Sequence, residues 1–147
     1  MKLFFIPVIF FLSFILENKQ NETSFVYEPI SQDKELQQSI KDGKAIYSDF
    51  CMRCHLPQGE GVEGIYPPLE GSDWLSDKRT ESIKAVKYGL NGEIEVNGIT
   101  YNNNMTSMGL TDREVADVMN YILNSFGNED IDNKQVTLKE VAGLSEE

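Results

Sequence analysis

The sequence is short of the residues from which metal sites are usually built. It has two cysteines and one histidine in 147 residues. A structural zinc site takes four ligands, usually Cys and His, and three are too few unless carboxylates fill in. A sole histidine also excludes bis-histidine ligation of an iron within one chain. Positive charge is scarce as well: 13 Lys and Arg stand against 24 Asp and Glu, for a net charge of -11. Without a basic stripe such a chain repels phosphate backbones, so no nucleic-acid partner is expected. The apolar run Leu3 to Leu16, broken by Pro7 and Ser13, falls short of the roughly 20 residues a spanning helix needs. No cysteine stands near its end to carry a lipid.

What is present at the start reads as an export signal. Lys2 precedes the apolar run, and the polar stretch Glu17 to Glu22 ends it. No small-x-small pair precedes Glu17. Residues 1–22 are therefore expected to be a signal peptide or a short retained anchor. Retained, residues 3–16 give the protein a means of membrane association. Export implies the periplasm or the outer face of the cytoplasmic membrane. Residues 23–34 read as a linker, 35–127 as one domain, and 128–147 as a polar tail, extended or frayed, with a weak helical patch at Val136 to Val141. A domain of about 100 residues buries a modest core, to which a cofactor would add substantially.

Helical signals dominate that domain. Ser31 can cap a first helix along which Leu36, Ile40, Gly43 and Tyr47 recur at helical spacing. Gly43 weakens a helix, and close approach of another helix would explain it. Residues 56–74 hold three prolines and four glycines and read as a loop. Ser76 or Asp77 can cap a second helix through Ile83 and Val86 to Gly89. Val96-Asn97-Gly98-Ile99 can form a small turn or hairpin. Thr111 and Glu114 form a capping box for the last helix, with Val115, Val118, Met119, Ile122 and Phe126 as its stripe and Gly127 as its stop. The expected fold class is all-α, with three or more helices and long ordered loops.

The cysteines and the histidine stand together as Cys51-Met52-Arg53-Cys54-His55. This is the pattern of c-type haem attachment. Side chains three apart on a helical turn share a face, so Cys51 and Cys54 can reach two vinyl groups on one porphyrin edge. His55 can then bring its imidazole to the iron as an axial ligand. A thioredoxin-like dithiol shares the cysteine spacing but wants a βαβ setting. A plain disulfide leaves His55 unexplained. The expected cofactor is one haem c, covalent through Cys51 and Cys54. With no second histidine, the remaining soft ligand is a methionine thioether. Met52 lies between the cysteines, and Met119 lies on the last helix's apolar stripe. Met105 and Met108, in the loop before that helix, remain, and spacing does not separate them.

These residues resemble a class I c-type cytochrome of the small bacterial kind also fused to oxidases and dehydrogenases. The resemblance covers about residues 36–127. Gly43 and Tyr47 match the family's first helix, which packs against an aromatic segment of the last; Tyr121 and Ile122 match that partner. The loop Tyr66-Pro67-Pro68-Leu69-Glu70-Gly71 implies that the Pro67 carbonyl accepts a hydrogen bond from His55 and that Leu69 is a wall of the haem pocket. Trp74 resembles a bulky residue near the haem edge. The segment Val96 to Met105 resembles the family's approach to the axial methionine and selects Met105. Thr106 departs from the proline that usually follows, which leaves the ligand loop less restricted.

The function implied is single-electron transfer, not catalysis, with His55 and Met105 on the iron. The expected partners are a quinol-oxidising complex, a terminal oxidase, or a periplasmic dehydrogenase or reductase. The alternatives are a dedicated cytochrome subunit of an oxidoreductase complex and a haem sensor with a displaceable sixth ligand.

Overall fold

The computed structural model describes residues 32–129 and 135–146. The expected signal segment, and the linker up to residue 31, lie outside the described residues. Residues 32–34 of that linker are already helical.

Helix α1 (Gln32–Ile46) runs into a single π-helical turn (Tyr47–Cys51) and then the short α2 (Met52–His55). Ser39, Gly43 and Tyr47, four residues apart, form the buried edge of this arm. That edge lies across α5 (Asp112–Leu123). Gly43 is where the two helices come closest: a Cβ there would overlap the Asp117 carbonyl oxygen and lie 2.9 Å from Tyr121 Cβ. The expectation of close helix approach at Gly43 holds. Below it, the rings of Tyr47, Tyr121 and Phe126 pack in a triangle with centroids 5.2–5.5 Å apart.

Helix α5 begins with the expected capping box. Thr111 accepts from the Glu114 N–H, and the Glu114 carboxylate accepts from the Thr111 N–H. Val115, Val118, Met119 and Ile122 are buried on it. Its end differs from expectation. The helix stops at Leu123, and Asn124 folds its side chain back onto the Asn120 carbonyl. Phe126 therefore lies beyond the helix, at φ 62°.

Between these arms lie α3 (Asp73–Asp77) and α4 (Arg79–Tyr88). The expected cap at Ser76 or Asp77 is corrected, because both residues sit inside α3. Lys78, at φ −129° and ψ 52°, separates the two helices and is the N-cap of α4 without any side-chain capping bond. Gly89 ends α4 as expected.

Two small antiparallel ladders supplement the helices. Strand β1 (Gly89–Leu90) pairs with β4 (Met105–Thr106), and β2 (Ile94–Val96) pairs with β3 (Ile99–Tyr101). The second is the expected hairpin, turned by Asn97 and Gly98 at φ 53° and 77°; two positive φ values match the twist of tight hairpins. The first had no signal in the sequence.

The helical patch expected at Val136 to Val141 is present as helix α6 (Leu138–Ala142), but the segment is docked and not extended or frayed: Val136 and Val141 are fully buried. Asn120 of α5 holds the segment by both edges of one peptide position. Its Oδ1 accepts from the Val136 N–H at 2.7 Å, and its Nδ2 donates to the Val136 carbonyl at 2.9 Å. Arg79 binds both Glu140 carboxylate oxygens, Lys87 donates to the Val141 carbonyl, and Tyr88 donates to the Leu144 carbonyl. Two buried valines and four polar side chains, Asn120, Arg79, Lys87 and Tyr88, thus dock a segment whose composition reads as solvent-exposed.

Candidate functional site: an apolar cleft around the Cys-x-x-Cys-His turn

The π turn and α2 carry the three candidate residues. Cys51 closes the π turn, and Cys54 and His55 lie on α2. Single π turns are rare and often mark functional positions. Here the turn shifts the chain's phase just before the motif. Both thiols are free and half-buried. Burial, with a contribution from Cys54, pushes the Cys51 thiol up to about 11.

The imidazole of His55 is buried, and its Nδ1 lies 3.0 Å from the Pro67 carbonyl oxygen. A carbonyl can only accept, so Nδ1 carries the proton and Nε2 keeps its lone pair. Burial lowers the pKa of the ring, partly opposed by the bond to Pro67. Burial prevails and keeps the ring neutral, while the bond to Pro67 occupies Nδ1–H and leaves Nε2 available, the form that binds a metal. The expected His55–Pro67 contact is therefore present.

The loop that offers Pro67 is held from several sides. The Gly61 N–H donates to the His55 carbonyl at 3.0 Å, and the Leu69 and Glu70 N–H groups donate to the Gly59 carbonyl. Tyr47 Oη donates to the carbonyl of Leu56, the residue that follows His55. From the far side, the buried Asn128 side chain accepts from the Gly71 N–H and donates to the Leu69 and Ile122 carbonyls. Asn128 is the first residue of the segment expected to be a polar tail. It is a structural member of the site, and a lone Asn after a helix stop gives no hint of that in the sequence.

Two adjoining cavities open beside this turn, with about 750 and 590 Å³ of unfilled space, part of it open to solvent. Cys51, His55, Pro67, Leu90, Ile94 and Met105 line both. Cys54, Tyr66, Tyr101, Asn103 and Met108 line the first alone, with the exposed Phe50 and Ile65. Leu69, Trp74, Leu75, Val86, Val96, Met119 and Ile122 line the second. Leu69, expected as a pocket wall, and Trp74, expected near a haem edge, both line the second cavity. Of the two methionines, Met105 belongs to both cavities, whereas Met108 is exposed and lines only the first. Sequence reasoning missed Leu90, Ile94 and Tyr101. The alternation of Ile94 and Val96 was their only signal, and three-residue strands are too short to show it.

The donor set fits a c-type haem. It offers two thiols on one turn, a neutral imidazole with a free Nε2, a thioether in the same cavities, and apolar walls. Residues 40–126 match the sequence model of the family described as Cytochrome c. The chain belongs to the cytochrome c family. Within that family it is 40% identical over 92 residues to cytochrome c-552 of Thermus thermophilus, covering 59% of this chain and 70% of that protein. It is 29% identical over 92 residues to the fructose dehydrogenase cytochrome subunit of Gluconobacter japonicus, covering 59% of this chain. It is also 29% identical over 96 residues to the cytochrome c subunit of the quinone alcohol dehydrogenase of Gluconobacter oxydans, covering 58%. The matched region spans only 19% and 18% of those two subunits. Membership of the cytochrome c family implies covalent haem c and electron transfer.

Proposed function

We propose that this chain is an exported single-electron carrier with one haem c, joined by thioethers to Cys51 and Cys54 and ligated by His55 and Met105. The observation that carries the reading is the shared lining of the two cavities. Both thioether and imidazole candidates face the same space, and Met108 contributes to only part of it. Bound haem iron supplies the redox chemistry by alternating between Fe(III) and Fe(II). The chain's residues set the conditions. His55 presents Nε2 while its Nδ1–H donates to the Pro67 carbonyl, which fixes the ring and raises its donor strength. Met105 supplies a soft thioether, which favours the reduced state. Leu69, Ile94, Val96 and Met119 exclude water, which disfavours the extra positive charge of the oxidised state.

Phe50, Ile65 and Met108 are 43%, 46% and 37% exposed and border the first cavity. They form the apolar part of a docking face for a redox partner, in a transient contact under ~1,200 Å². The net charge of -11 suits a partner with a basic surface. The proposed partners are a quinol-oxidising complex, a terminal oxidase, or a periplasmic dehydrogenase or reductase. The likeness to two dehydrogenase cytochrome subunits supports a second reading, a cytochrome dedicated to one periplasmic oxidoreductase. Co-purification with such an enzyme distinguishes it.

Haem that remains with the exported chain through acid-acetone extraction tests covalent attachment. The methionine-to-iron charge-transfer band of the oxidised protein tests the sixth ligand. It is expected to vanish in Met105→Ala and persist in Met108→Ala, and the reverse pattern excludes Met105.

A further inference from the structure

Thr106 stands where the family resemblance expects a proline, and the strand that carries Met105 is restrained by backbone pairing instead. Strand β4 is held by β1, in the register Gly89 to Thr106 and Leu90 to Met105. The approach is close: a Cβ on Gly89 would lie 2.6 Å from the Met105 carbonyl oxygen. Strand β1 is the direct continuation of α4. The placement of Met105 therefore depends on how the last turn of α4 is fixed.

Lys87 occupies that turn, and three separate segments converge on it. Its Nζ lies 2.8 Å from Asp112 Oδ1, in the first turn of α5. The same Nζ donates to the Val141 carbonyl at 2.8 Å, in the docked tail. Its backbone carbonyl, one of the last four in the helix and so without an intrahelical partner, accepts from Ser107 Oγ at 2.9 Å, two residues past Met105. The next residue, Tyr88, adds a bond to the Leu144 carbonyl at 2.7 Å. Both ends of the Met105 segment are thus referred to one lysine. The β1–β4 ladder leaves α4 just after it, and Ser107 returns to its carbonyl.

We propose that Lys87 is a positioning residue for Met105, fixing the end of α4 against α5 and the docked tail so that the β1–β4 ladder holds the methionine at the iron. The proposal rests on Met105 being the sixth ligand. When Lys87 loses Asp112, the Val141 carbonyl and the Tyr88 ring, the ladder loosens and the fraction of molecules with Met105 detached rises. An added ligand that binds only the detached form then binds more tightly, in proportion to that fraction.

The test uses full-length ferric holoprotein titrated with imidazole, with thermal stability measured alongside. Lys87→Leu keeps the apolar stem and removes both polar contacts. It is expected to bind imidazole roughly tenfold more tightly than the parent and to weaken the charge-transfer band. Lys87→Arg, which can still donate to Asp112 and to the tail, is expected to stay within about twofold. Lower thermal stability in Lys87→Leu with unchanged imidazole affinity means ordinary structural support and overturns the proposal. Equal tightening in Lys87→Arg overturns it as well. Met105→Ala separates the two levels. A charge-transfer band that survives in Met105→Ala overturns the ligand assignment and this proposal with it. A band lost there, with Lys87→Leu like the parent, overturns this proposal alone.

Discussion

Gly43 of α1 touches the backbone of α5 at Asp117, leaving no room for a single methyl group between them. The contact sets the distance between the two longest helices, and the Tyr47–Tyr121–Phe126 triangle is stacked beneath it. Tyr47 also reaches the Leu56 carbonyl, so the spacing of α1 and α5 is transmitted to the haem-binding turn. Gly43→Ala should lower unfolding free energy by about 3 kcal/mol, since backbone cannot move aside as a flexible side chain can. Denaturant unfolding of the holoprotein measures it. A loss below about 1 kcal/mol would mean that the helices part without cost.

Asn128 makes three hydrogen bonds from a fully buried position, two of them to the segment Leu69–Gly71. Asn128→Ala removes the partner of the buried Ile122 carbonyl and of the part-buried Leu69 carbonyl and Gly71 N–H. The expected cost is about 2–4 kcal/mol. Amide hydrogen exchange at Gly71 should accelerate strongly, because its N–H loses its acceptor. Exchange at Gly71 as slow as in the parent would show that the loop is held by its other bonds.

Asn120 has the same role for the tail. Its side chain binds both the N–H and the carbonyl of Val136 and donates to Ser39 Oγ. Asn120→Ala should cost about 2–4 kcal/mol and free residues 135–146 from the domain. Carboxypeptidase trimming of the folded protein reads the second effect. A tail that resists digestion in the variant would mean that Val136, Val141 and the Arg79–Glu140 pair suffice to dock it.

The site was largely legible because its chemistry is local in sequence. Cys51, Cys54 and His55 occupy one turn, and a turn's geometry follows from spacing alone. The Thr111–Glu114 capping box and the Asn97-Gly98 turn were legible for the same reason. Pro67 and Leu69 required the family resemblance, since nothing in their own neighbourhoods marks them; for Met105 the residues alone left a choice with Met108 that only the resemblance made. What stayed hidden depends on partners distant in sequence. The β1–β4 ladder has two residues on each side, too few to carry a period. The helical patch at Val136 to Val141 was legible, but not its docking, which depends on Asn120 and Arg79, 16 and 61 positions away from their partners. The π turn is likewise invisible, because no residue type specifies it.

Two carboxylates give opposite acid responses. Hydrogen bonds from Arg79 hold the Glu140 carboxyl below its usual 4.5, aided by the charge of Arg79 and opposed by burial. Burial holds the Asp117 carboxyl above its usual 3.8, partly opposed by the Ser39 hydroxyl and the charge of Arg113. For Glu140, the folded pKa is depressed. Its contribution to stability is therefore complete above the ordinary value and disappears as pH falls through the folded value. For Asp117, the folded pKa is raised. Folding favours its protonated form, so the stabilisation is present below the ordinary value and lost as pH rises through the folded one. Glu140→Gln should thus be less stable than the parent at neutral pH, with the gap closing in acid. Asp117→Asn, which keeps an acceptor for Ser39, should be more stable than the parent at neutral pH, with its advantage fading as the parent's carboxyl protonates. Urea unfolding of the three proteins from neutral pH to below about 4 checks both signs at once. A Glu140→Gln gap that widens in acid contradicts the Arg79 pairing, and an Asp117→Asn advantage that grows in acid contradicts the burial of that carboxyl.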